Sequence, residues 1–387
     1  MIQKKFDITY LSVDSIQEGV GSSQITPLIL GLAQQGKDVC LITFEKSSPK
    51  NDLIELFKSA GVTWIAKDFG RSGAAAGLKR LNTLRRIIPK TLILHGRSDI
   101  ATSAAIWSRI EAPVLWDVRS LWSDQRLLIG TSGWNSFTAR GARSLENLCA
   151  KEADAMTTLT AAVIPILQQR HRTIPKIREV IPTCVQTQIF LPAPMPQGQI
   201  ICLLSGTFNN YYDISRTKLV LDKIRKSIDL KVIWARANES PVDRLGVGED
   251  TIISATHSEM PRLVRESHFG IAICKQDNLA SLAAAVPTKI GEFLASGRPV
   301  IVSNGIGDLD FLLSKTQTGI VVAQNDSLQN ISERISLLIN DPETPIRCRE
   351  LAMQHFDMRQ SIHKYLEIYD RMQHSFDSKH LGGLNGK

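Results

Sequence analysis

The sequence predicts an α/β protein built on two doubly wound parallel sheets. Three observations carry that expectation. Short, continuous apolar runs alternate with segments of helical period, a Pro-rich stretch breaks the alternation near mid-chain, and the alternation then begins again. Strands that are apolar on both faces must be covered on both, which calls for a parallel sheet between layers of helices. A length of 387 residues suits two domains, each with its own core.

Taken in order, residues 7–12 (D-I-T-Y-L-S) read as the first strand and residues 24–35 as a helix. Residues 38–44 (D-V-C-L-I-T-F), rich in β-branched side chains, form the second strand. A helix over 52–60 ends at Gly61, and residues 62–66 give the third strand. The Leu78, Leu81, Leu84, Ile87 ladder marks another helix, and residues 91–94 another strand. Pro192, Pro194 and Pro196 with Gly198 read as a linker, because proline neither continues a helix nor donates to a central ladder. Beyond it, strands are expected at 200–205, 231–235, 251–253, 270–274, 299–303 and 319–323, and helices at 215–227, 260–266, 287–296 and 327–340. The domains that follow from this are 1–190 and 191–357. A last helix over 358–373 joins the first domain, and the polar, Gly-rich residues 374–387 are expected to be a disordered tail.

Composition excludes several classes. With 43% hydrophobic and 22% charged residues and a mean hydropathy of -0.05, the chain is neither disordered nor collagenous. Apolar stretches such as 157–167 are too short to span a bilayer, and Pro165 interrupts that one. The first residues show no secretory leader, so a cytoplasmic location is expected. Cys40, Cys149, Cys184, Cys202, Cys274 and Cys348 show no C-x-x-C pair and no zinc spacing, and each reads as a buried, reduced residue. Charge is distributed unevenly. Residues 1–190 hold 24 Lys and Arg against 16 Asp and Glu, whereas residues 191–387 balance at 22 and 22. A basic first half suits an anionic partner, and no nucleic-acid module is present, so a membrane surface or a phosphate-bearing substrate is expected.

Three segments have the residue types for chemistry. The turn after the first strand, Gln17–Gln24, has Gly19 and Gly21 for close backbone approach and Ser22 or Ser23 as helix cap, and a helix N-terminus is a natural anion site. A tight turn without a ligand explains it equally well, and Gln24 in place of the last glycine argues against a dinucleotide fingerprint. In the segment from Pro287 to Ile301, Pro287 suits the first helical position and Gly297 the C-terminal cap, which puts Lys289 and Glu292 on one face. Lys289 could meet a diphosphate and Glu292 ribose hydroxyls, or the two could be a solvated surface pair. The third group is L-H-G-R-S (94–98) with W-D-V-R-S-L-W-S-D-Q-R (116–126), which gathers His95, Arg97, Asp117 and Arg119 where strands of a parallel sheet end. Buried Asp–Arg pairing that fixes loops is the plainer reading of Asp117 with Arg119.

Further motifs join these in order: A-Q-Q-G-K-D-V and L-I-T-F-E early in the chain, E-A-D-A-M-T-T-L-T (152–160), V-I-P-T-C-V-Q-T-Q-I-F (180–190) and S-G-T-F-N-N-Y-Y-D (205–213). With G-V-G-S-S-Q-I-T-P-L and P-T-K-I-G-E-F-L-A-S-G-R-P-V-I, the most specific of them, they make residues 5–373 resemble a bacterial family 4 glycosyltransferase. The resemblance implies the GT-B fold, two Rossmann-like domains facing a central cleft. It also implies a retaining, hexosyltransferase-type enzyme (EC 2.4 class) of bacterial surface polysaccharide or glycoconjugate synthesis. The donor would be a nucleoside-diphosphate sugar of the UDP or GDP type, bound by the second domain. A glycan or lipid-linked acceptor would be bound by the first, with no other cofactor. In that frame Glu292 matches the second Glu of a signature pair that holds the ribose, and Ala284 stands where the first is expected. Lys289, Gly19, Gly21 and Ser22 would approach the donor phosphates, with Gly206, Arg216, Lys218, Arg236, Asn304, Gly305 and Asp308 around the donor pocket. His95, Arg97, Asp117, Arg119 and Lys289 make up the expected catalytic set.

Sugar transfer of this kind needs stabilisation of the negative charge that develops on the β-phosphate, and Lys289 with backbone N–H groups suits it. That charge needs no metal beside them, and no divalent metal is expected. Lys79, Arg80, Arg85, Arg86 and Lys90, beside the leucine ladder, could touch anionic lipid, or form a solvated face over a helix packed inward. Other readings stay open at this point: a sugar-nucleotide epimerase or hydrolase on the same fold, or an inactive nucleotide-binding scaffold, which Ala284 makes thinkable. An NAD-dependent dehydrogenase is disfavoured by the glycine turn.

Overall fold

The computed structural model describes residues 5–19, 21–128, 137–208, 211–236, 250–277 and 279–382. The chain forms two compact units, Met1–Ile181 with Met358–Lys387, and Pro182–Asp357.

The first unit is built on β1 (Phe6–Leu11), β2 (Val39–Glu45), β3 (Thr63–Asp68), β4 (Thr91–Arg97), β5 (Val114–Val118), β6 (Ala155–Thr158) and β7 (Ile177–Val180). They lie parallel in the order β3-β2-β1-β4-β5-β6-β7. Every residue of β2 is buried, as expected of a strand covered on both faces. From the helix Ala74–Ile87, Leu81 and Leu84 join Phe6, Leu11, Ile42, Phe44 and Leu94 in one core cluster. Because the chain winds outward from β1 through β3 and then returns to the other side of β1 as β4, the sheet has a switch point between β1 and β4. β5, β6 and β7 were not among the strands expected from the sequence.

The last helix, Met358–Gly382, packs on this unit. Gly31 makes room for it: a Cβ there would lie 2.1 Å from Ile362 Cδ1. The sequence reading ends this helix at 373 and expects disorder beyond, but the helix runs on to Gly382. Local pairing sustains the polar extension. Gln373 donates to Asp377 at 2.8 Å, the Ser378 hydroxyl to the His374 carbonyl at 2.7 Å, and Lys379 lies 3.5 Å from Asp154.

The second unit repeats the connectivity. β8 (Ile200–Ser205), β9 (Leu230–Arg236), β10 (Thr251–Ser254), β11 (Phe269–Ala272), β12 (Val300–Ser303) and β13 (Gly319–Val322) are parallel in the order β10-β9-β8-β11-β12-β13, with a switch point between β8 and β11. Trp234, Phe269 and Ile271 pack there with Val220, Leu221 and Ile224 from the helix Ile214–Arg225. Gly270 is bare where the helix Thr288–Ala295 crosses the sheet, since a Cβ would lie 2.4 Å from the Phe293 ring.

The division between units falls after Ile181, not after residue 190 as the sequence reading has it, and the Pro-rich stretch belongs wholly to the second unit. One arginine holds it there, and a second holds the chain just before it. Arg298, with no exposed surface, donates to the carbonyls of Ala193 and Pro194, each at 2.9 Å. Arg349 donates to the carbonyls of Thr187 at 3.0 Å and Phe190 at 2.8 Å. Prolines leave a segment rich in unmatched carbonyls, and a guanidinium has five N–H groups to offer them. The stretch is therefore pinned rather than a free hinge.

Candidate functional site

Ligands of doubly wound sheets sit beyond the carboxyl ends of the strands, at the switch point. In the second unit that place is framed by the turn after β8 and the first turn of the helix Thr288–Ala295. After β8 the backbone turns at Gly206 with φ +121°, and a Cβ there would lie 3.2 Å from Lys289 Nζ. The following segment is tied to the end of β11: Asp213 N donates to the Ile273 carbonyl at 2.9 Å and Lys275 N to the Tyr211 carbonyl at 3.0 Å. This pairing sets the Tyr212 ring under Lys289, with Nζ 4.1 Å from the ring centroid, and Phe208 flanks it at 5.7 Å.

Lys289 and Glu292 stand one turn apart on the helix, and each is only 8% exposed. The structure thereby overturns the solvated surface-pair reading of the two. Pro287 is the N-cap residue rather than the first helical one, with Thr288 beginning the helix. Among the described residues Lys289 has no carboxylate within ion-pairing distance, Glu292 included; its neighbours are aromatic faces. Burial pulls the Lys289 ammonium down to about 8, against the pull of Cys274 and Glu292. Burial likewise pushes Glu292 up to about 7, against Lys289. An ammonium in this setting lacks an anion.

The other expected donor-pocket residues are more varied. Asn304 follows β12, where its main-chain and side-chain oxygens accept from the Gln276 amide, the former at 3.1 Å. Gly305, at φ +79°, donates its N–H to the Asp310 carboxylate at 3.0 Å. Arg216 is committed to main chain, donating to the carbonyls of Ala323 at 3.1 Å and Asp326 at 2.8 Å. It ties its helix to the loop after β13, while its Nε has no hydrogen-bond partner among the described residues. Arg236 closes β9, and the segment that follows, 237–249, lies outside the described residues. Ala284 is buried, 1% exposed. Tyr212 and Phe208 escaped the sequence reading because an aromatic over a lysine is a tertiary contact with no periodic signature. The N-N-Y-Y-D segment was its only trace.

In the first unit the turn after β1 is built around itself. Gly19 adopts φ +55° and accepts at its carbonyl from the Ser22 hydroxyl at 2.9 Å and the Ser23 hydroxyl at 3.3 Å. A Cβ on Gly21 would lie 1.8 Å from the Ser15 carbonyl oxygen, so only glycine fits. Buried Glu45 braces the loop, accepting from the Ser15 hydroxyl at 2.5 Å and from Ile16 N at 3.2 Å. The helix expected from residue 24 instead begins as a π-helical turn, Gly21–Ile25, continuing as Thr26–Gln34. Ser22 does not cap the helix Thr26–Gln34, and its hydroxyl donates within the turn.

His95, Arg97, Asp117 and Arg119 do come together, at the ends of β4 and β5. His95 has no exposed surface. Its Nδ1 is 2.6 Å from the Tyr369 hydroxyl, and its Nε2 is 3.3 Å from Asp117 Oδ2. Burial holds it below the usual imidazole value, partly offset by Asp117. Asp117, 1% exposed, accepts from the Thr157 hydroxyl at 2.9 Å. Burial opposes its ionisation, but Arg119, His95 and Arg97 outweigh that and hold its carboxyl below the usual range. His95 and Asp117 are thus both buried, 3.3 Å apart, with Arg119 3.6 Å from Asp117. Arg97 lies 3.3 Å from Asp14, and Gln24 Oε1 accepts from Arg119 at 2.6 Å and from Arg97 at 3.4 Å. Gln24 was read only as a missing glycine, yet it joins both guanidinium groups.

No protein-family model matches the sequence, and no curated protein matches it. Solved structures do. Sucrose-phosphate synthase from Thermosynechococcus elongatus is 16% identical, with 96% of this chain and 100% of that one covered and a TM-score of 0.74. A glycosyltransferase from Rickettsia africae is 16% identical, covering 95% and 98%, with a TM-score of 0.66. Anabaena HepE, solved in complex with UDP, is 13% identical, covering 94% and 100%, with a TM-score of 0.67. At such identities the likeness shows the fold, and the two-domain α/β class of GT-B proteins expected from the sequence is borne out.

An unpartnered buried ammonium weakens the empty protein. Between pH 8 and 10.5 the native Lys289 has lost its proton while the unfolded one keeps it, so wild-type stability rises through that window, by up to about 3 kcal/mol. Lys289→Met removes this rise and increases stability at pH 7, read as denaturant midpoints across the pH series.

Proposed function

We propose that the chain is a retaining glycosyltransferase, of the kind family 4 contains, that uses a nucleoside-diphosphate sugar. The observation that carries this is Lys289, a buried cation without a carboxylate, set at the switch point of a sheet one helical turn from Glu292. A diphosphate supplies the missing charge, and Glu292 is placed to accept hydrogen bonds from ribose hydroxyls of the same ligand. HepE has been solved with UDP and with UDP-glucose, which supports a UDP-type donor ahead of a GDP-type one.

In this reading the donor binds the second unit and the hydroxyl acceptor the first. Departure of the nucleoside diphosphate builds negative charge on the β-phosphate, and Lys289 stabilises it more strongly in its buried setting than it would in water. The leaving phosphate oxygen takes the proton of the attacking hydroxyl, so no carboxylate base is needed. Lys289 supplies the positive charge that such a step requires, and the reading invokes no metal and no further cofactor. The acceptor is a glycan or lipid-linked molecule of bacterial surface polysaccharide or glycoconjugate synthesis, on the cytoplasmic side.

Membrane contact is part of the proposal. The helix Ala74–Ile87 turns Leu81 and Leu84 inward and leaves Lys79, Arg85 and Arg86 exposed, with Leu78 60% exposed beside them. Arg80 is turned inward, its guanidinium 4.1 Å above the Phe69 ring. Among the described residues no helix is long and apolar enough to cross a membrane.

Calorimetric titration with UDP, GDP and ADP tests the donor site. One of them binds, Glu292→Gln weakens it by about tenfold or more, and Lys289→Met weakens it further. Binding by none, or an unchanged affinity in Glu292→Gln, contradicts the reading. For the membrane contact, neutralising Arg85 and Arg86 together lowers affinity for anionic vesicles about tenfold or more at low salt, at roughly 1 kcal/mol per basic residue. Vesicle binding that is absent or unaltered removes that part.

A further inference from the structure

The ends of β1, β4 and β5 hold more buried positive charge than buried negative charge. Arg97 is 5% exposed, and the Arg119 side chain is nine-tenths buried. Asp117 is the only buried carboxylate among the described residues on this pair, 3.6 Å from Arg119. The other carboxylate, Asp14, has a side chain 55% exposed and meets Arg97 only at 3.3 Å. Burial lowers the His95 pKa from its usual value, against the pull of Asp117.

The two guanidinium groups nevertheless converge on one point, and the atom placed there is uncharged. It is the amide oxygen of Gln24, itself 8% exposed. Arg119 Nε is buried and has no hydrogen-bond partner. Two planar guanidinium groups aimed at one spot, with an unmatched N–H and an exposed carboxylate as second partner, match the recognition geometry of an oxyanion. A pair that only fixed loops would be expected to close its own charge balance with buried carboxylates.

We propose that Arg97, Arg119 and Gln24 form an oxyanion subsite in the first unit, and that the sugar acceptor presents a phosphate or carboxylate group to it. The incoming oxyanion replaces Asp14 on Arg97 and takes up Arg119 Nε, while Gln24 sets the separation of the two guanidinium groups. The acceptor is the assigned source because the donor diphosphate has its own cation in Lys289; this part rests on the transferase reading. The excess of 24 basic over 16 acidic residues in 1–190 gives an anionic acceptor a favourable field to enter.

Gln24→Glu is the informative variant. It is isosteric and supplies both guanidinium groups with an internal carboxylate, so it keeps or raises the unfolding midpoint while competing with any external oxyanion. In a Lys289→Met background, which disables the donor cation, inorganic phosphate is expected to bind by calorimetry and raise the unfolding midpoint. Adding Gln24→Glu, or in a separate protein Arg119→Gln, weakens that binding by about tenfold or more. No phosphate binding in the Lys289→Met protein, or binding unchanged by both further substitutions, overturns the subsite.

The source of the oxyanion is decided in the otherwise wild-type chain. Affinity for the tightest-binding nucleoside diphosphate unchanged by Gln24→Glu supports the acceptor. A tenfold loss there assigns the subsite to the donor and overturns the acceptor assignment. If no nucleoside diphosphate binds the wild type, the transferase reading and the acceptor assignment fall together, whereas the phosphate titration still decides the subsite.

Discussion

Phe293 lying on the bare backbone of Gly270 seats the helix Thr288–Ala295 against its sheet, and the chemistry of the second unit depends on that contact. A side chain on β11 at this position would lift the helix. With the helix down, Lys289 reaches the turn at Gly206 and the ring of Tyr212, and Glu292 is carried into a nearly dry setting one turn behind. Two ionisable groups that would be commonplace on a solvated helix become a cation wanting an anion and a carboxyl with an elevated pKa. The perturbation is electrostatic in nature but has a packing origin.

The two units share one connectivity and one kind of switch point, yet they place charge differently. At its switch point the second sets a buried ammonium against aromatic rings, with no carboxylate in ion-pairing distance among the described residues. In the first, His95, Asp117, Thr157, Tyr369, Gln24 and two arginines make a buried network, in which His95 meets Tyr369, Asp117 accepts from Thr157, and Gln24 accepts from Arg119. Unused hydrogen-bonding capacity remains at Arg119 Nε and, deeper in, at His95 Nε2 and Asp117 Oδ2. A network of this form holds its arginines in place without occupying them, as a preorganised binding surface requires.

Much of this was legible in the sequence because strands such as β2 and β8 are continuous apolar runs and the helix Thr288–Ala295 has clear boundaries at Pro287 and Gly297. The pairing of Lys289 with Glu292 on one face followed from spacing alone. What could not be read there was burial: three-residue spacing is the same for a solvated pair and a buried one. The roles of Tyr212 and Gln24 come from contacts between elements distant in sequence, which leave no period. The Pro-rich stretch reads as a linker because proline is read locally, whereas Arg298, more than a hundred residues on, pins its carbonyls. The polar end of the last helix was misread for a related reason, since its support lies in side-chain pairing rather than apolar content.

The most direct test of the central claim, that Lys289 and Glu292 form the seat of a nucleoside diphosphate, is a crystal structure of the chain with the tightest-binding such ligand. The account predicts diphosphate oxygens about 3 Å from Lys289 Nζ, and ribose hydroxyls within hydrogen-bonding distance of the Glu292 carboxylate. A nucleotide bound elsewhere on the chain, or one that leaves the Lys289 ammonium facing only Tyr212 and Phe208, would contradict it.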